Sequence, residues 1–106
     1  MEIDEILAFA LSLADTEAYF PFGPDNVVFK TKGKVFLILF LEKVPIWMNY
    51  KASPEAILEQ RETYYEYIFP GYHMNKKHWN TLHINKHMQP AIIKNLIQTS
   101  YNLVRK

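Results

Sequence analysis

Four histidines are the first candidates for acid–base or metal chemistry: His73, His78, His83 and His87, separated by five, five and four residues. A metal needs imidazoles that converge, as two histidines at i and i+4 on one helix face do. None of these pairs falls on a segment with helical periodicity. Within a strand, His78 and His83 point to opposite faces because side chains alternate, and no aspartate lies nearby in sequence to orient a ring. They read as surface or hydrogen-bonded histidines. Among the acids, Asp4 and Asp15 stand eleven residues apart, about three helical turns, with Glu5 beside the first. That spacing allows a weak divalent-cation patch, although helix-dipole and solvation roles account for the same acids without a ligand. The chain has no cysteine, no Gly-x-Ser-x-Gly, and only Gly23, Gly33 and Gly71 as glycines, too scattered to cradle a phosphate. Neither a catalytic residue, a metal-ligand set nor a cofactor is assigned, and the chain is read as a non-enzyme.

The remaining constellation is basic and aromatic. Gly71-Tyr72-His73-Met74-Asn75-Lys76-Lys77-His78-Trp79-Asn80 sets two lysines and two histidines among aromatic rings and amides, while Lys30, Lys32 and Lys34 surround a separate Gly33 turn. Lysines attract phosphates, amides reach base edges, and exposed rings stack on bases. Against this, a large ring such as Trp79 at a strand start packs inward, and lysines at a hairpin tip serve solubility. A rival reading is an interaction module for a protein or small ligand, built on exposed Trp47, Tyr50 and Trp79.

The elements that must hold these residues follow from periodicity. Ile3, Ile6, Leu7, Ala10, Leu11 and Ala14 predict an amphipathic first helix that stops before Pro21-Phe22-Gly23-Pro24. Three strands follow: residues 27–31, 35–41 and 44–51, the first two joined by Lys32-Gly33-Lys34. Ser53-Pro54-Glu55 opens a second helix, residues 79–85 read as a fourth strand, and Pro90 opens a last helix with the stripe Ile93, Leu96, Ile97, Tyr101 and Val104. Ser100 on that helix is expected to bond back to its own preceding turn. The expectation is one α+β domain over residues 1–106, in the order helix, three strands, helix, strand, helix, with both terminal helices on one face of an antiparallel sheet.

Charge is uneven. Residues 1–29 hold six acids and no Lys or Arg, and residues 30–106 hold twelve bases against five acids, so −6 and +7 combine to the net +1. The longest apolar run, Val35–Leu41, is seven residues, far below the ~20 of a membrane helix. An acidic amino end without a signal region and the lack of cysteine point to a soluble cytoplasmic monomer.

Gly33-Lys34-Val35-Phe36, the run from Pro70 to Thr81, and Leu96-Ile97 with Ser100-Tyr101-Asn102-Leu103-Val104 resemble the MmcQ/YjbR family. The resemblance spans essentially the whole chain. It implies a two-layer sandwich similar to the bacterial frataxin CyaY, and a DNA-binding role through projecting elements. Carried onto this sequence, it nominates Asn75, Lys76, Lys77, His78, Trp79 and Asn80, to which residue chemistry adds Lys32 and Lys34. Four lysines gripping duplex phosphates give a log–log salt slope of about −3.6. A pI near 7.9 is below that of an obvious basic domain, and frataxin similarity also raises weak cation binding on the first helix, whose acids are sparse for that role.

Overall fold

A computed structural model describes residues 1–106. The chain runs α1 (Ile3–Ser12), β1 (Thr16–Tyr19), β2 (Asn26–Thr31), β3 (Lys34–Phe40), β4 (Trp47–Lys51), α2 (Pro54–Thr63), β5 (Ile68–Pro70), β6 (Trp79–His83) and α3 (Pro90–Val104). The six strands form one antiparallel sheet in the order β1-β2-β3-β4-β6-β5. Two strands are additional to the expected order. Both lie at the sheet edges, where sequence signals fade: β1 is Thr-Glu-Ala-Tyr with no buried residue, and β5 is three residues ending in a proline, which only an edge tolerates. β4 starts at Trp47 rather than residue 44, and β6 ends at His83 rather than residue 85.

Local chemistry explains the rest. The β2–β3 turn is Lys32-Gly33, with φ of 50° and 79°, the twist a two-residue hairpin requires. Ser53 caps α2 by accepting from the Ala56 amide at 3.3 Å. Alternation along the strands then sorts the two faces. Val27, Phe29, Leu37, Leu39, Met48, Tyr50, Leu82 and Ile68 face the helices and join Ile6, Ala10, Ile93, Ile97 and Tyr101 in one core. The terminal helices α1 and α3 pack together on that face. The opposite face, with Val28, Ile38, Asn49, Thr81, Trp47 and His83, carries no helix.

One irregularity shapes the end of the sheet where β3 and β4 part. Phe29 pairs with Leu37 but Lys30 pairs with Val35, so Phe36 is an extra residue in β3. This bulge turns the Phe36 ring inward, edge-on to Tyr101 at 5.3 Å. The β3–β4 ladder runs no further than Leu37 opposite Tyr50. Beyond that pair the buried Ser100 hydroxyl stands between the strands, donating to the Phe36 carbonyl at 2.6 Å and accepting from the Lys51 amide at 2.8 Å. Ser100 therefore bonds to the sheet instead of its own helix, contrary to the expectation. The hydroxyl replaces a ladder bond and lets β3 and β4 part. Ser100→Ala leaves both backbone groups without a partner and should lower stability by roughly 1–3 kcal/mol, read as a shift in the urea midpoint.

Candidate nucleic-acid interface

The segment between β5 and β6 carries most of the nominated residues, and the structure turns many of them inward. Asn80 is fully buried: its Nδ2 donates to the Ile57 carbonyl and to Gln60 Oε1, both at 3.2 Å, and its Oδ1 accepts from Arg61 Nε at 2.7 Å. The same guanidinium donates to the backbone carbonyls of Lys76 and Trp79. Tyr50, also buried, donates its hydroxyl to Gln60 at 2.8 Å, and burial pushes that phenol well above its ordinary pKa. Trp79 is only 5% exposed. The Lys76 ammonium folds back to the Gly71 carbonyl at 2.8 Å, and Asn75 Oδ1 accepts the Lys77 amide at 2.9 Å. Asn80 is thus unavailable as a nucleic-acid contact, a correction to the expected site; Trp79 is nearly buried but lines the groove where β3 and β4 part, and Lys76 turns its ammonium into the loop. Buried amides and rings of this kind need internal partners, and that need is what the motif meets.

A second fastening holds the loop on the helix-free face. Asn49 Nδ2 donates to the Tyr72 carbonyl at 3.0 Å, the Tyr72 amide donates to Thr81 Oγ1 at 2.8 Å, and Thr81 in turn donates to Asn49 Oδ1. Gly71 is required here. A Cβ at this position would lie 2.7 Å from Trp79 Cβ and 2.9 Å from its carbonyl oxygen.

What remains outward-facing is a groove of about 640 Å³ where β3 and β4 part. Lys34 of the hairpin, Lys51 at the end of β4 and His78 of the loop line it together, with Ser53 and Pro54 at the start of α2. The Lys51 ammonium sits 5.5 Å above the Trp79 ring. No carboxylate is among the lining residues, and the start of a helix adds positive potential. The hairpin and the loop, distant in sequence, therefore meet through Lys34 and His78. Lys32 and Lys77, each exposed, adjoin these two along the chain, whereas Lys30 turns aside to Glu17 at 3.9 Å. Lys51 and Ser53 were missed, and so was Arg61. Their roles depend on the β4–β6 pairing and on where α2 lands, neither of which leaves a local signal.

The other candidate chemistries fare differently. Asp15 is engaged by Arg105 at 3.3 Å, and Glu5 accepts the Glu2 amide at 3.0 Å. No three His, Asp or Glu side chains lie close enough to hold a metal ion. Tyr50 and Trp79 are buried, so only Trp47 of the three rings proposed for an interaction surface is accessible. Trp47 stacks on His83 at 4.3 Å and meets Tyr72 edge-on at 5.2 Å, and Phe69 covers the other side of His83 at 4.4 Å. Burial among these rings lowers the pKa of His83 below its ordinary 6.5.

Two outcomes follow from these packings. Gly71→Ala must push Trp79 away and should cost about 1–3 kcal/mol, visible as a lowered thermal midpoint. Because folded His83 binds its proton more weakly than the unfolded chain does, it contributes stability above pH 6.5 that is lost as pH falls through its folded pKa. His83→Phe should remove that part of the acid sensitivity when urea midpoints at about pH 7.5 and about pH 5 are compared.

The sequence and the fold are similar to those of known proteins. A family model described as YjbR matches residues 11–103. The uncharacterized protein YbdF of Escherichia coli O157:H7 is 42% identical over 96 residues, covering 90% of this chain and 77% of that protein. The uncharacterized protein YyaQ of Bacillus subtilis is 36% identical over 58 residues, 55% of this chain and 48% of that one. Among solved structures, a Deinococcus radiodurans protein with a DUF419 domain superposes with a TM-score of 0.92 at 30% identity, covering 98% of this chain and 78% of its own. A Pseudomonas syringae protein superposes with a TM-score of 0.81 at 28% identity, covering 97% and 98%. With a family model matching residues 11–103 and a 42% identical relative covered over 77% of its length, the chain belongs to the MmcQ/YjbR family.

Proposed function

We propose that this protein binds DNA through its phosphate backbone, with the groove between β3 and β4 as the point of attachment. The observation that carries the reading is the convergence of Lys34, Lys51 and His78 on one groove that no carboxylate lines. Two ammonium groups and the start of α2 favour an anion there. Exposed Lys32 and Lys77 extend the contact on either side. Asn80 is internal and Trp79 nearly so, which leaves the lysines as the main contacts, so the binding is backbone-directed and insensitive to sequence. With a net charge of +1, affinity is modest and steeply salt-dependent. The protein acts as a cytoplasmic monomer without a cofactor in this reading, and no helix is long and apolar enough to cross a membrane.

The test is a titration of a fluorescent duplex at several salt concentrations with wild type, Lys34→Glu/Lys51→Glu and the charge-matched control Lys86→Glu/Lys94→Glu. Loss of two phosphate contacts should reduce the magnitude of the log–log slope by about 1.8 in the groove variant, while the control keeps the wild-type slope. Equal binding by the two double variants, or no binding by wild type at low salt, would overturn the reading.

A further inference from the structure

The groove between β3 and β4 has an apolar half that phosphates alone do not use. Because the β3–β4 ladder stops at Leu37 and Tyr50, the last turn of α3 lies open between the strands. Leu103 and Val104 there join Val35, Ala52 and Trp79 in lining the groove. Val35 and Leu103 are partly exposed, and Pro54 stands exposed beside them. The cations share this wall. Lys34 and Lys51 are both free of carboxylates, since the two ion pairs of the molecule join Lys30 to Glu17 and Arg105 to Asp15. The Lys51 ammonium stands 5.5 Å above the Trp79 ring, so positive charge and apolar surface adjoin. A bare phosphate meets the ammonium groups and leaves the apolar wall in water. A hydrocarbon covers the wall and gains nothing from the lysines. The ligand that uses both halves joins an anionic group to a compact apolar one.

We propose that the groove receives one unpaired nucleotide of a DNA strand, with its phosphate on Lys34 and Lys51 and its base against Val35, Pro54 and Leu103. The inference rests on the DNA-binding reading of this groove and deepens it by naming the form of DNA. In a duplex the base faces are stacked on one another, so paired DNA offers the groove only sugar and phosphate. An unpaired strand also offers a base face, which an apolar surface can cover. A groove of about 640 Å³ is of small-molecule size; it holds a single nucleotide and is too small to admit a duplex. Exposed Lys32 and Lys77, which adjoin Lys34 and His78 in sequence, serve the neighbouring phosphates of the same strand. Apolar contact with a base is indifferent to which base it is, in keeping with binding that ignores sequence. Tails and gaps are therefore preferred over continuous duplex.

The test compares three fluorescent DNAs: a blunt duplex, the same duplex with a short unpaired thymidine tail, and the same duplex with an abasic tail of equal length. The two tails carry the same phosphates and differ only in their bases. The thymidine tail should bind the wild-type chain roughly tenfold more tightly than the abasic one. Leu103→Gln should remove most of that advantage while keeping wild-type affinity and salt slope on the blunt duplex, because both lysines remain. Val35→Thr, which keeps the shape of the wall and makes it polar, should narrow the advantage in the same direction. Free thymidine monophosphate, at the concentration of the tailed DNA, should not displace it. Equal affinity for the two tails, an advantage undiminished in both variants, or displacement by the free nucleotide would overturn the inference. Binding of the blunt duplex that Lys34→Glu/Lys51→Glu weakens would then still uphold phosphate binding at the groove. Absence of binding by all three DNAs would sink both.

Discussion

The Arg61 guanidinium, crossing from α2 to Asn80 and to the carbonyls of Lys76 and Trp79, is the constraint on which the loop between β5 and β6 depends. Its partner amide is fully buried, and a buried amide with even one bond unmade is costly. Satisfying Asn80 therefore fixes α2 against β6. Fixing β6 brings Trp79 against Gly71, and the Asn49–Thr81–Tyr72 bonds then hold the loop down on a face that no helix protects. The long motif that marks the family works first as a clasp.

Two clefts arise from how this clasp and the helices meet the sheet. At one end, the Phe36 bulge and the intruding Ser100 hydroxyl separate β3 from β4, and the gap is rimmed by Lys34, Lys51 and His78. On the helix-free face, the loop rises over Ile38 and Phe40 and encloses an apolar space beside Asn26. The first is lined by lysines and the second by apolar and aromatic side chains with two amides and His73, so the two differ in charge and not merely in shape. A loop that is internally bonded can support both walls without moving.

Much of this was legible in the residues. The stripes of α1 and α3, the Gly33 turn and the Ser53-Pro54 start all declare themselves locally, since each reflects a period or a cap that acts within a few residues. The edge strands β1 and β5 do not, because an edge buries too little to impose alternation. The site was harder to read. Lys34 and His78 stand out as basic residues in turns, but Lys76, Asn75 and Asn80 look equally available in sequence, and only the fold shows which polar groups the chain consumes itself. Lys51 and Arg61 gain their roles through nonlocal pairing, for which a single sequence carries no signal.

Amide hydrogen exchange on the wild-type protein tests most directly whether the motif is a fastening or a mobile reading arm. If it is a fastening, the amides of Gly71, Tyr72 and Trp79, bonded to Trp79, Thr81 and Asn75, exchange as slowly as those of Leu37 and Leu39 in the central strand, through opening of the whole fold. Fast exchange across residues 71–79 while the central strands stay protected would contradict it.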